Sequence, residues 1–516
     1  MPLEHVPVLI AGGGPVGLAL AVELGRRGVE CLVAEPRATV SRARPRCKTM
    51  NVRSMEHLRR WGIADRLRER APLPASWSQD VVFCTSMSGH ELSRFSGVLG
   101  LAADGDRFPE LGQQVPQYVL EGLLRDVVTE LPASTLLTGH RVDEVEQDES
   151  GVRAVVVDEA GRRSTVTADY LIGCDGPRST VRDRIGASYV GGQALRPNFG
   201  MVFEAPELWR DLRHGPAVHY WVVNPAAPAV MGPIDRTGTW WIIAFGVDQE
   251  TGERDARRII DAAAGRPVQA RVVSTDPWTA RMQIVDRMRS GRVFLAGDAA
   301  HLNPPFGGHG LNTGLADAVD LGWKLVAVLD GWAGPALLDS YEAERRPVQE
   351  RVIREATANM AVLSTELLAD NLDAGDEDGE RARQAAHRRI QATKKAEFHS
   401  LELVLDIPVT GPAVAPGGGR RLPHLWLEDG RSLYDELGPG FTLVLLGGDG
   451  SPAAQLAAVA RSRGVPVELT DLRERDVRGR FGADLLLVRP DQHIAWGGDT
   501  LTGGASALLD RVCGRG

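Results

Sequence analysis

Lysine is nearly missing from this chain: of 59 basic residues only Lys48, Lys324, Lys394 and Lys395 are lysines, and the rest are arginines. Acids outnumber both together, and the formal net charge of −9 argues against nucleic acid or an anionic membrane surface as a partner. The five cysteines (Cys31, Cys47, Cys84, Cys174, Cys513) are scattered, odd in number and include no Cys-x-x-Cys pair. Neither a disulfide framework nor a zinc site is expected, and a reducing, cytoplasmic setting is. The uncharged stretch Val6–Val22 lacks a basic flank and is punctuated by glycines, so it does not read as a signal peptide. No other run approaches membrane-spanning length. Nor is there a nucleophile triad, a paired-carboxylate motif or a metal-ligand cluster, so no catalytic side chain and no metal are assigned.

What is present begins with "VLIAGGGPVGLALAVELGRRGVECLVAE" (residues 8–35): an apolar strand, Gly12-x-Gly14-x-x-Gly17, an Ala/Leu-rich helix and a second strand ending in an acid. Gly12 permits the turn, Gly14 lets the backbone approach a pyrophosphate, and Gly17 lets helix and strand pack closely. The helix N-terminus offers free N–H groups, Val16's among them, to the phosphates. Glu35 stands where a carboxylate accepts from a ribose 2′-OH. This fingerprint alone does not separate NAD from FAD.

A chain of 516 residues suggests two to four domains. "DVVFCTSMSGHELSRF" reads as two strands about a Ser-Gly turn, and "PQYVLEGLLRDVVTEL" as an amphipathic helix. A meander follows over residues 140–176. Residues 188–275 are β-rich and carry Trp209, Trp221, Trp240 and Trp241, with Trp278 just beyond. The stretch from Pro335 to Ala369 reads as one long helix and "DAGDEDGERAR" as an exposed charged segment. "GPAVAPGGGRR" reads as a linker before a β/α pattern over residues 420–516.

Two further motifs decide the cofactor. "GRVFLAGDAAHLNPPFGGHGLNTGLADAVDLGWKL" (residues 291–325) ends a strand in Gly297-Asp298 and opens a helix through Gly307, Gly308 and Gly310. Asp298 is placed to accept from a ribityl hydroxyl. The backbone N–H groups near Leu311 and Asn312 face a ligand, and a helix N-terminus there favours negative charge on a reduced flavin ring. His301 reads as a structural hydrogen-bonding residue. "YLIGCDGPRSTVRDRIG" (residues 170–186) supplies a strand ending in Asp175-Gly176.

The three motifs in this order resemble the FAD-dependent aromatic hydroxylases, the para-hydroxybenzoate hydroxylase-like flavoprotein monooxygenases. "PRCKTMNVRSME" and "VPQYVLEGLL" are similar to the same family, and the tail is similar to the C-terminal domain of its phenol and polyketide hydroxylase branch. The resemblance implies an α/β fold: a Rossmann-like FAD-binding domain (1–75, 106–187 and 276–400), an inserted β-sheet substrate-binding domain (76–105 and 188–275) and a thioredoxin-like domain without CxxC (418–516). It implies that Arg46 reaches the FAD pyrophosphate, that Gln117 lies beside the ribityl chain, and that Val142 meets adenine through its backbone. Asp175 and Arg178 are implied to support FAD and the passing NAD(P)H. Lys48 departs from the small or apolar residue of the family pattern. The implied reaction is NAD(P)H-consuming hydroxylation through a flavin C4a-hydroperoxide, on a phenolic or polycyclic natural product of low charge, with O2 as co-substrate. Trp221, Val222, Val223, Trp240 and Trp241 are candidates to line its pocket, and Arg271, Arg281 and Lys48 the only candidates for a carboxylate fork. A homodimer is allowed. A flavin oxidase or dehydrogenase on the same scaffold, and a non-catalytic flavin binder, are the rival readings.

Overall fold

The structure is a computed structural model that describes residues 5–43, 49–210 and 212–515. Arg46 and Lys48 lie outside the described residues. The helices are α1 (Pro15–Gly25), α2 (Val52–Arg60), α3 (Ala64–Arg70), α4 (Gln117–Glu130), α5 (Thr180–Arg184), α6 (Gln249–Ala264), α7 (His309–Leu329), α8 (Ser340–Met360) and α9 (Glu377–Phe398). After them come α10 (Leu401–Leu405), α11 (Ser451–Ser462), α12 (Arg478–Phe481) and α13 (Gly504–Val512).

The first sheet has a parallel centre in the order Val293–Leu295, Arg163–Gly173, His5–Ala11, Cys31–Glu35, Ser134–Thr138. Its short strands are near-continuous apolar runs because helices or an antiparallel layer cover both faces. The meander strands His140–Gln147 and Val152–Asp158 join antiparallel to Arg163–Gly173. α1 is apolar on nearly every side and correspondingly buried. It packs against α7, where a Cβ on Gly322 would stand 2.6 Å from the Glu23 side chain, so the glycine sets the close approach.

The second sheet has eight strands, from His301–Leu302 through Arg271–Val285, Tyr189–Glu204 and Thr239–Phe245 to the Val81–Cys84/Glu91–Phe95 hairpin. The domain limit expected at 276 falls inside Arg271–Val285, which pairs with Tyr189–Glu204 and so carries this sheet on to Val285. Side chains alternate between two cores. Trp240 and Val222 face α6, while Trp221, Val223 and Trp241 face Phe306, Phe398 and Leu363. The five pocket candidates therefore divide by strand period, and Trp240 and Val222 belong to the wrong side for a shared pocket.

Helix α8 stops at Met360, short of the expected long helix. Leu363, Leu367 and Leu372 instead fold onto the second sheet, and Ser364 donates to the Ala229 carbonyl at 3.0 Å; burial of three leucines outweighs helix propensity. The charged segment expected to be exposed is largely so, and it forms the start of α9. Asp376 accepts from the Gly379 N–H at 3.0 Å, and Glu377, Asp378 and Glu380 sit where the helix dipole favours acids.

The C-terminal sheet runs Val467–Asp471, Phe441–Leu445, Leu485–Val488, Ile494–Gly498, with the first pair parallel and the others antiparallel. A β-α-β unit followed by a β-hairpin and helix in this order is thioredoxin-like topology. Its core packs against Trp323 and Trp332 of the first unit.

Candidate functional site

All three glycine and Asp-Gly motifs emerge at the carboxyl edge of the parallel strands, where open α/β sheets bind ligands. The glycines of the first motif have distinct reasons. Gly12 has φ +100°, and a Cβ there would stand 2.5 Å from the Cys174 carbonyl oxygen. A Cβ on Gly17 would stand 2.0 Å from the Gly12 carbonyl oxygen. Gly14 caps α1 without a side-chain hydrogen bond, and nothing lies within 4 Å of where its Cβ would be. The space in front of the helix N-terminus is therefore open at Gly14 and closed behind it.

Glu35 is buried at the end of its strand. One carboxylate oxygen accepts from the Gly13 N–H at 2.8 Å, and the other from the Arg37 N–H at 2.9 Å and Nε at 2.7 Å. Two oxygens offer about four acceptor positions and these bonds take three, so capacity remains for a ribose hydroxyl. Arg37 also bonds Glu121 at 2.9 Å. Arg37 carries no motif signal and was not singled out from the sequence; a basic residue two positions past the strand-end acid is the only trace.

Val16 does more than lend an N–H. Its side chain fills the spaces that Cβ atoms on Gly297 and Gly314 would occupy, at 2.9 and 2.7 Å, and so locks the first turn against the Gly-Asp loop and α7. Asp298 is exposed on that loop, in a single turn of 3-10 helix (Gly297–Ala299). Beneath it lies Asp317, fully buried and marked by no motif. It accepts from the Gly297 N–H at 3.1 Å, from His301 Nε2 at 2.7 Å, from Arg345 Nε at 2.8 Å and from Gln349 at 2.9 Å. Burial would raise its pKa; His301 and Arg345 outweigh this and hold it at about 2. His301 is thus the structural hydrogen-bonding residue expected.

α7 opens at Gly308 (φ +70°) with no side-chain cap, leaving first-turn N–H groups without intrahelical partners. Leu311 is half-buried in this turn and Asn312 is buried. The Asn312 amide accepts from the Asn51 N–H at 3.0 Å and Ser54 Oγ at 2.7 Å, and donates to the carbonyls of Thr49 and Gly308 at 3.1 and 2.7 Å. Its side chain joins α7 to α2, so any ligand contact there falls to the backbone. His309 is buried in the same turn, and desolvation lowers its pKa to about 4.

The remaining expected residues are more dispersed. Gln117 is the half-buried first residue of α4. Val142 is a core residue paired with Val156. Asp175 is occupied in forming α5: it accepts from Ser179 Oγ and, at 3.1 Å, from the Val181 N–H, and burial raises its pKa. Arg178 is exposed beside it. Arg271 pairs with Glu204 at an exposed strand end, away from the aromatic face.

A dinucleotide fits this arrangement: Gly14, Gly308 and Gly310 have no atom within 4 Å of their Cβ positions, in front of two uncapped helix N-termini. Fold and site together define a dinucleotide-binding flavoprotein scaffold. The model of the FAD binding domain matches residues 5–356, and that of the aromatic-ring hydroxylase C-terminal domain residues 415–516. Tetracenomycin B2 monooxygenase-dioxygenase of Streptomyces olivaceus is 33% identical over 99% of this chain and 98% of its own. Aklavinone 12-hydroxylase RdmE of Streptomyces purpurascens is 32% identical over 99% of each. The rebeccamycin biosynthetic enzyme RebC with reduced flavin superposes with a TM-score of 0.91 at 34% identity over 100% of both chains. A ternary complex of aklavinone-11 hydroxylase with FAD and aklavinone gives 0.84 at 29% identity, again over 100% of both. The chain belongs to the FAD-dependent aromatic-ring hydroxylases, and it is an FAD-dependent monooxygenase that uses NAD(P)H as co-substrate.

Proposed function

We propose that this enzyme hydroxylates a neutral, polycyclic or phenolic aromatic compound of natural-product size. The observation that carries this is the aromatic face of the second sheet. Phe83, Trp221, Phe245, Phe306 and Phe398 lie within 5.4–6.5 Å of one another in successive ring contacts. Lys394 lies on this face 4.3 Å from the Trp221 ring, but it is committed to Glu397 and the carbonyls of Asn359 and Val362. These rings are buried in one core, and with the Lys394 cation already paired that core supplies apolar area and no partner for a carboxylate. The names of the polycyclic relatives support the same substrate class.

FAD, when bound, supplies the redox chemistry and the activation of oxygen. In this reading the N–H groups of α1, Val16's among them, hold the pyrophosphate with Arg46, and Glu35 accepts from the adenosine ribose. Asp298 accepts from the ribityl chain, with Gln117 beside it, and the Leu311–Asn312 turn faces the ring. Val142 meets adenine through its backbone, and Asp175 shapes the turn along which NAD(P)H passes. The division into FAD-binding, substrate-binding and thioredoxin-like parts rests on the separate sheets, with the middle part extended to Val285. Among the described residues Cys31, Cys84, Cys174 and Cys513 are free thiols, which supports a cytoplasmic setting. No helix is long and apolar enough to cross a membrane among the described residues.

The test is the rate of flavin reduction by NAD(P)H with a panel of neutral polycyclic phenols and small anionic benzoates. Acceleration by the former supports the reading. Acceleration by benzoates alone overturns it.

A further inference from the structure

Tyr189 opens the long strand Tyr189–Glu204, at a point that no motif marks. Its hydroxyl donates to the backbone carbonyl of Asp298, and its ring lies under the guanidinium of Arg182, 4.2 Å from Cζ to centroid. Arg182 is itself fixed. Its N–H donates to Ser179 Oγ at 2.9 Å, its guanidinium donates to the Pro177 carbonyl at 3.2 Å, and Ser179 in turn donates to Asp175. One continuous set of contacts therefore runs from the Asp175-Gly176 turn through Arg182 and Tyr189 to the loop that carries Asp298.

That loop is held on its inner side as well. The Gly297 N–H donates to buried Asp317, and the Ala300 N–H donates to the Gly297 carbonyl at 2.8 Å. Gly297 has φ +59°, a left-handed conformation that glycine adopts without a Cβ penalty. The Ala300 N–H holds the Gly297 carbonyl, in the peptide unit before Asp298, Tyr189 holds Asp298's own carbonyl, in the unit after it, and Asp317 fixes the Gly297 amide one unit further back. With both flanking peptide units held, the direction of the exposed Asp298 carboxylate is set before any ligand arrives.

We infer that Tyr189 is a positioning residue that aims Asp298 at the flavin side chain, and that through Arg182 it joins the two Asp/Gly motifs into one unit. This rests on the reading of Asp298 as the ribityl acceptor. The ring packs under Arg182, and the hydroxyl, which the Arg182 guanidinium also reaches, donates to the Asp298 carbonyl.

The experiment measures FAD affinity of deflavinated protein by fluorescence titration, with the melting temperature of the same apoprotein, for Tyr189→Phe, Asp298→Ala and the double variant. Tyr189→Phe keeps the ring, so its apoprotein melts like the parent while its FAD dissociation constant rises about three- to tenfold, the range of one lost neutral hydrogen bond. In the Asp298→Ala background the same change adds less than about twofold, because the carboxylate it aims is gone. Parent-like affinity in Tyr189→Phe alongside weakened binding in Asp298→Ala overturns the positioning role and leaves the Asp298 assignment intact. Equal effects in both backgrounds also overturn it, since the hydroxyl then acts independently of Asp298. Parent-like affinity in Asp298→Ala removes the assignment and the inference together.

Discussion

The guanidinium of Arg489, in the thioredoxin-like unit, donates to the Glu344 carboxylate of α8 at 2.7 Å, with both side chains buried. It also donates to Asp320 of α7 at 2.8 Å, and Lys324 bonds the same two acids at 2.9 and 3.0 Å. The tail is thus joined to the flavin-binding unit by a desolvated ionic cluster as well as by the Trp323–Phe441 contact. Removing one member leaves uncompensated charge in a low-dielectric interior. Arg489→Met is expected to cost about 3–5 kcal/mol and to release residues 415–516 to proteolysis before the rest unfolds. Parent-like melting and digestion would show that the cluster contributes no cohesion.

The glycines of the first motif separate folding from binding. Gly17→Ala forces a methyl onto the Gly12 carbonyl oxygen, 2.0 Å from the ideal Cβ position, and should lower apoprotein stability by about 2 kcal/mol or more. Gly14→Ala meets no protein atom, so its apoprotein should melt within about a degree of the parent. Its methyl enters the space assigned to the pyrophosphate, and FAD affinity should fall at least tenfold. Calorimetry of the apoproteins and FAD titration distinguish the two; parent-like FAD binding by Gly14→Ala would contradict the phosphate assignment.

His309 sets a pH dependence. Its folded pKa of about 4 lies below the 6.5 of a free imidazole, so between these values the unfolded chain binds more protons. The stability associated with neutral His309 is complete above pH 6.5 and declines as pH falls toward 4, by at most about 3 kcal/mol. His309→Gln should flatten the melting-temperature profile in that window. An unchanged slope would mean that another group carries it.

Much of this was legible in the sequence, for a physical reason. The Gly12-Gly14-Gly17 turn, the Gly297-Asp298 strand end and the Asp175-Gly176 turn are local: each needs particular residue types within a few positions, so spacing reveals them. The parallel strands likewise announce themselves as short apolar runs. What spacing does not reveal is contact between distant segments. Asp317 is one acid in an ordinary helical pattern until His301, Arg345 and the Gly297 amide surround it. Asn312 is expected to face a ligand through its backbone, and spacing does not show that its side-chain amide is taken up by Thr49, Asn51, Ser54 and Gly308. Trp240 and Trp241 are neighbours in sequence, but the pleat sends them into different cores. The end of α8 at Met360 was hidden in the same way, because the leucines beyond it answer to the sheet they cover.

The most direct measurement of the central claim is isotopic. Enzyme reconstituted with FAD is supplied with NAD(P)H, a neutral polycyclic phenol and 18O2, and the product is weighed by mass spectrometry. One labelled oxygen is expected in the aromatic product for each NAD(P)H consumed in coupled turnover. NAD(P)H oxidation that yields only hydrogen peroxide, with no label entering any member of the panel, would contradict it.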